Sequence, residues 1–268
     1  MTFSKILFVG CGNMGGAMLD GWLAGGVAPG NFTIVSPNRS AAPEGVRLLR
    51  EVPDEAFDMV IIGVKPQKLG EVVDAIRPVA AKGAVIVSIL AGTMLDTLRE
   101  TFPDAGAIVR LMPNLSCALG KSPIALVADE LDAARKVDLT EFVGPLGTAE
   151  WLDDETLFDL VTALAGSGPG FVYRFIDALA KGATALGLPA DQAERLAVAT
   201  VDGASALAAA SEHSAGELAR RVASPGGMTQ VGLDVMDKDD AILRLMEDTL
   251  RGARDRGVQM AEEARKNG

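Results

Sequence analysis

Apolar and polar positions follow two different rhythms along this chain. In the first, short apolar runs bounded by turn residues predict strands at Ile6–Val9, Thr33–Val35, Val46–Leu49, Met59–Val64, Ala84–Ile89, Ala107–Met112 and Ile124–Val127, with a last strand near Gly147–Trp151. Between them, apolar residues recur at helical spacing over Asn13–Leu23, Gln67–Val79, Leu95–Thr101 and Leu131–Phe142. Strands alternating with helices predict a parallel sheet joined by crossovers. One crossover is too short. Only Ser36 to Gly45 separate Val35 from Val46, where about a dozen or more residues and a helix are usual. The second crossover helix is therefore expected to be lost or reduced to a turn, leaving a looser sheet edge.

From Asp154 onward the rhythm is helical throughout, with almost no β-branched runs. Helices are predicted over Glu155–Leu164, Pro169–Leu186, Ala190–Ala210, Ala215–Val222, Pro225–Asp237 and Asp239–Lys266. Pro169 and Pro225 follow glycine and serine and suit a first helical turn. Alanine-rich residues 197–210 permit close helix–helix approach, within the chain or against a second subunit. Two domains follow, 1–153 and 154–268, with no linker composition between them.

The first strand runs straight into Gly10-Cys11-Gly12-Asn13-Met14-Gly15, a G-x-G-x-x-G turn opening a helix. Gly10 allows the sharp turn. Gly12 keeps side chains away from a pyrophosphate, and Gly15 lets the helix pack against the sheet. The helix N-terminus offers N–H groups and partial positive charge to phosphates. The fold class is thus α/β, a Rossmann-type doubly wound, mostly parallel sheet followed by an all-helical C-terminal domain. An NAD site of this kind carries a carboxylate after the second strand. Here Val35 is followed by Ser36, Pro37, Asn38 and Arg39. A guanidinium with hydroxyl and amide neighbours suits a 2′-phosphate, so NADPH is favoured, with NADH as the alternative. Val64, Lys65 and Pro66 lie at the carboxyl edge of the sheet, where ligands bind.

Composition narrows the chemistry. The length of 268 residues, 49% hydrophobic and 23% charged, suits a soluble globule with a large core. A net charge of −11 argues against nucleic acid as partner, and no apolar run approaches a membrane span. Cys11 and Cys117 are the only cysteines and form no CxxC pair. A reducing, cytoplasmic setting without disulfides or a bound metal is expected, with Cys11 a small filler in the glycine turn. His213 is the only histidine, so a histidine zinc cluster is out and an enzyme here must lean on its cofactor.

Two stretches of the helical half read as anion sites. In Ala165-Gly166-Ser167-Gly168-Pro169, a proline opens a helix and small residues leave N–H groups free for a carboxylate. Ser224-Pro225-Gly226-Gly227-Met228-Thr229 repeats the design: serine as N-cap, proline in the first turn, glycines allowing close approach.

Taken together, Gly10 to Gly15, Val64-Lys65-Pro66-Gln67, Arg110-Leu111-Met112-Pro113-Asn114, Gly166-Ser167-Gly168-Pro169 and Ser224 to Thr229 resemble the pyrroline-5-carboxylate reductases over nearly the whole chain. The resemblance implies hydride transfer from NAD(P)H to the imine carbon of 1-pyrroline-5-carboxylate, giving L-proline. It implies that Thr229 hydrogen-bonds the ring nitrogen as a catalytic residue, together with Glu212, which matches the family's upstream acidic position. Ser167, Gly168, Ser224, Gly226 and Gly227 would hold the carboxylate. Gly10, Gly12, Asn13, Met14, Gly15, Ser36, Asn38, Arg39, Val64, Lys65 and Pro66 would line the cofactor. It also implies a homodimer through the helical domain, or a ring of dimers, with the active site where the nucleotide domain meets the dimer's helices. An iminium carbon is already electrophilic, so orientation matters more than a strong base, and a histidine-poor chain suffices. The chain departs from the family at Leu115-Ser116-Cys117, Ala165, Met228 and the missing crossover helix. The nearest alternative is another reductase on the same fold, a β-hydroxyacid dehydrogenase or a reductase of another cyclic imino acid. A β-hydroxyacid dehydrogenase would need a lysine early in the helix at Pro169, where none stands before Lys181. A non-catalytic NAD(P)-binding regulator would have no use for Thr229.

Overall fold

The computed structural model describes residues 3–267. In chain order it runs β1 (Ile6–Val9), α1 (Asn13–Ala24), β2 (Phe32–Val35), β3 (Arg47–Leu49), β4 (Met59–Ile62), α2 (Leu69–Ala80), β5 (Val85–Ser88), α3 (Leu95–Thr101), β6 (Ala107–Met112), β7 (Ser122–Asp129), α4 (Ala133–Val143) and β8 (Gly147–Trp151). Helices follow at α5 (Phe158–Val161), α6 (Gly168–Ala185), α7 (Ala190–Ala210), α8 (Ala215–Val222), α9 (Met228–Asp237) and α10 (Ala241–Asn267). Among the described residues the strands form one sheet of order β3-β2-β1-β4-β5-β6-β7-β8. All pairings are parallel except β6 with β7.

The strands β1, β2, β4 and β5 are apolar at nearly every position because both faces are covered. One face buries Phe8, Phe32 and Phe142 around Trp22. The Trp22 ring stacks on Phe142 at 4.8 Å, and its indole N–H donates to the Phe142 carbonyl at 2.8 Å. The other face buries Ile62, Ile76, Ile86 and Phe102. As expected, turns alone join β2 to β3. β3 is the sheet edge and lies exposed or half-buried.

Three helix expectations are corrected. The helix over Glu155–Leu164 is broken into a 3₁₀ turn (Glu155–Leu157), α5, and a π turn (Thr162–Gly166). The Ser167 N–H donates five residues back, to the Thr162 carbonyl at 2.9 Å. Pro169 has no N–H with which to bond Ala165 in α geometry. The helix predicted from Pro225 begins at Met228, with Gly227 as N-cap. Gly226 takes φ +69°, a left-handed conformation that no helix interior holds, and the Gly227 N–H closes a turn onto the Ser224 carbonyl at 2.8 Å. Ser224 is thus a turn residue rather than the cap. The last helix starts at Ala241, because Asp239 and Asp240 have φ near that of left-handed turns, 55° and 56°.

Packing divides the chain into two units. One comprises the residues up to Ser167 together with the chain from Gly252 on; the other is Gly168–Arg251. In the second unit α6 packs on α7, burying Ala193 and Ala197 of α7.

Candidate functional site

At the nucleotide end, Gly10 and Gly15 of the turn are held to their residue type by space. A Cβ on Gly10 would stand 2.6 Å from the backbone N and Cγ1 of Val64, and Gly10 itself sits at φ +85°. A Cβ on Gly15 would meet the Phe8 ring of β1 at 2.7 Å, so the helix lies against the sheet. Above Gly12, by contrast, nothing stands within 4 Å of a Cβ position. Gly12 is the N-cap of α1 and provides no side-chain cap. The first-turn N–H groups of Asn13, Met14 and Gly15 therefore face an open approach, the arrangement a pyrophosphate needs.

The loop after β2 folds back onto this turn. The Arg39 guanidinium donates from Nη1 to the Cys11 carbonyl at 3.3 Å and lies 3.2 Å from its Sγ, while Nε donates to the Ala41 carbonyl at 2.8 Å. Burial pushes the Cys11 thiol up, and the charge on Arg39 opposes that shift. Cys117 is pushed up to about 11, chiefly by burial. Both cysteines are free and buried, which makes them packing groups rather than nucleophiles. The Ser36 N–H donates to the Leu49 carbonyl at 3.1 Å. Asn38 and Lys65 are exposed, Ser36, Val64 and Pro66 half-buried. The structure so brings Gly10 to Gly15, Val64 and Arg39 into one neighbourhood.

Sequence reasoning gave no role to three further features, although two of them, Arg110 and Asn114, stand in one of its motifs. Arg50, one residue beyond β3, donates from Nη1 to the carbonyls of Ser36 at 3.1 Å and Arg39 at 2.9 Å, gathering the loop that replaces a crossover helix. Arg110, 1% exposed in mid-sheet, donates to Glu155 Oε1 at 2.7 Å and lies 3.9 Å above the Phe158 ring. The same Glu155 oxygen accepts the Leu95 N–H at 2.8 Å. Asn114, buried after β6, bonds across to Ala165. An arginine in an otherwise apolar strand was the one signal available in advance; its partner, 45 residues on, was not.

Within the helical unit, Thr229 lies in the first turn of α9 and is exposed. Gly227 caps α9 without a side-chain bond, so the N–H groups of this turn are open as well. Ser224 and Gly226 are exposed in the preceding turn, and Glu212 is exposed ahead of α8. His213 Nδ1 lies 3.4 Å from Glu217 Oε1 on α8. The Ser167 N–H is taken by Thr162, so of this serine only the exposed side chain remains for a ligand.

A doubly wound sheet with an uncapped glycine turn at its first crossover, continued by a helical unit, defines a dinucleotide-binding α/β protein. Comparison with known proteins narrows that class. Residues 155–260 match the family model described as pyrroline-5-carboxylate reductase dimerisation, and residues 5–92 match that of the coenzyme F420-dependent NADP oxidoreductases. The chain is 32% identical to the pyrroline-5-carboxylate reductase of Pseudomonas aeruginosa, covering 98% of this chain and 99% of the relative. It is 36% identical to that of Pisum sativum, covering 86% and 87%. It therefore belongs to the pyrroline-5-carboxylate reductase family. Among solved structures, the reductase of Coxiella burnetii superposes with a TM-score of 0.86 at 25% identity, covering 98% of this chain and 99% of that one. The NADP-bound pyrroline carboxylate reductase of Plasmodium falciparum gives 0.83 at 24% identity, over 97% and 98%, a likeness of fold.

Proposed function

We propose that this chain is a pyrroline-5-carboxylate reductase, reducing the C=N bond of 1-pyrroline-5-carboxylate with NADPH, or NADH in its place, to give L-proline. The observation that carries this is similarity along the whole chain, 98% of it, to a reductase of that name. The residues present fit a dinucleotide: Gly12 leaves room and the first turn of α1 is uncapped. When bound, the cofactor supplies the hydride. Gly10, Gly12, Asn13, Met14 and Gly15 are assigned to its pyrophosphate, Ser36, Asn38 and Arg39 to the 2′-phosphate, and Val64, Lys65 and Pro66 to the sheet edge beside it.

The substrate's carboxylate is assigned to Ser167 and Gly168 and to the turn Ser224, Gly226 and Gly227, which leads into the uncapped first-turn N–H groups of α9, where an anion is favoured. The Thr229 hydroxyl is assigned to the ring nitrogen. It can accept a hydrogen bond from an iminium N–H and donate one to the amine, so it serves both ends of the reaction without changing charge. Glu212 is assigned a supporting acidic role near it. The functional division is 1–153 for nucleotide and 154–268 for substrate and dimer contacts.

The chain works as a homodimer through its helical domain. In residues 168–251 the buried apolar side chains are Ala193, Ala197 and Ala223, while Leu186 and Met228 are 91% and 94% exposed. Three alanines do not make a core, and a second copy supplies the missing cover. We assign the protein to the cytoplasm, where the buried free thiols stay reduced. The direct test is NADPH oxidation with 1-pyrroline-5-carboxylate, run beside 1-piperideine carboxylates and hydroxyacids. Turnover of the pyrroline is expected; turnover of hydroxyacids alone overturns the reading.

A further inference from the structure

The π turn Thr162–Gly166 leaves one carbonyl without its helical donor. In α geometry the Ala165 carbonyl would accept from residue 169, which is proline and has no N–H. The Asn114 side chain fills that place: Nδ2 donates to the Ala165 carbonyl at 2.8 Å. Its amide is oriented without ambiguity. Oδ1 accepts the Ser116 N–H at 2.8 Å, so Nδ2 must face the carbonyl. The Asn114 backbone is pinned in turn, its N–H donating to the buried Ser122 hydroxyl at 2.9 Å. Asn114 itself is only 4% exposed, so the bond is shielded from competing water. Two residues earlier, Met112 packs against the same segment, with Cγ 3.6 Å from where a Gly166 Cβ would be.

We propose that Asn114 is a positioning residue for substrate binding: by supplying the donor that Pro169 lacks, it sets the conformation in which Ser167 and Gly168 are presented to the substrate carboxylate. This rests on the assignment of Ser167 and Gly168 to the carboxylate. Asn114 touches neither substrate nor cofactor in this role. It couples the end of β6 to the turn ahead of α6, and π turns recur where a helix must be re-aimed at a functional group.

The test uses Asn114→Ser and Asn114→Asp in the full-length protein. Serine can still accept the Ser116 N–H but cannot reach Ala165, and aspartate keeps the shape while losing the donor. The KM for 1-pyrroline-5-carboxylate is expected to rise at least about tenfold, the loss of one buried bond. The KM for NADPH should stay within about twofold, and amide-exchange protection at Ser167 should fall. An unchanged imino-acid KM, an equal rise in both KM values, or unchanged Ser167 protection each overturns the proposal. Ser167→Ala and Gly168→Ala are measured alongside. If neither moves the imino-acid KM, the carboxylate assignment fails; if they move it and the Asn114 variants do not, the positioning role alone fails.

Discussion

The sheet unit and the helical unit bury their apolar residues in opposite ways. Around the sheet, Phe8, Trp22, Phe32, Phe102, Phe142 and Phe158 are all sealed within one chain. In Gly168–Arg251 the exposed residues include Val172, Tyr173, Phe175, Leu207, Val231 and Val235. On α7, Leu196, Thr200, Gly203 and Leu207 recur at helical spacing along one exposed stripe, directly beside the buried Ala193 and Ala197. The first unit completes its own core. The second presents a surface whose burial depends on another copy, so its stability is tied to protein concentration in a way the sheet's is not.

Charge placed on each unit separates the two cases most sharply. Leu207→Glu should abolish the dimer in light scattering and activity with it, while Val137→Glu, at a similarly exposed site on α4, should leave both intact. A monomeric yet fully active Leu207→Glu would erase the contrast. Next in size is Glu155→Ala, which strands the buried Arg110 charge inside the sheet unit. It should cost about 3–5 kcal/mol in urea unfolding of the sheet, without changing the oligomeric state at native conditions.

Thr229→Ala should lower turnover by about 10- to 100-fold with cofactor affinity near wild type; equal loss of both removes Thr229 from the chemistry. Arg39→Ala should raise the KM for NADPH about tenfold and leave that for NADH alone. An unchanged preference refutes the phosphate assignment. The smallest effect concerns Cys117. Its thiol is held above the ordinary value of 9.0, at about 11, so the folded chain keeps its proton where the unfolded chain has lost it. Its contribution to stability is complete below pH 9 and declines as pH rises through 11. Urea midpoints at pH 8 and 10 should diverge between wild type and Cys117→Ala; parallel profiles would contradict this.

Much of the fold was legible because strand burial on two faces writes continuous apolar runs. Ile6–Val9 and Ala107–Met112 stand where those runs predicted. The missing crossover helix could be read from chain length alone. The glycine turn was equally plain, since its local geometry demands small residues within a few positions. The break at Thr162–Gly166 and the late start of α9 were not, although Pro169 and Gly226 were both in view. A proline is compatible with a helix start or an interruption, and a glycine with either side of a cap. Which occurs depends on whether a donor such as Asn114 Nδ2 is present to satisfy the orphaned carbonyl.

By itself the sequence determined the sheet, its order of strands and helices, the phosphate-ready turn from Gly10 to Gly15 and the family to which the chain belongs. These depend on periodicity and on contacts between near neighbours. Only the tertiary structure decided how Arg39 closes onto Cys11, how Arg110 finds Glu155 and how Asn114 bonds to Ala165. Those contacts join residues 28, 45 and 51 positions apart. Polar groups buried at such separations must be satisfied by whatever the fold brings near, and no local pattern records that choice.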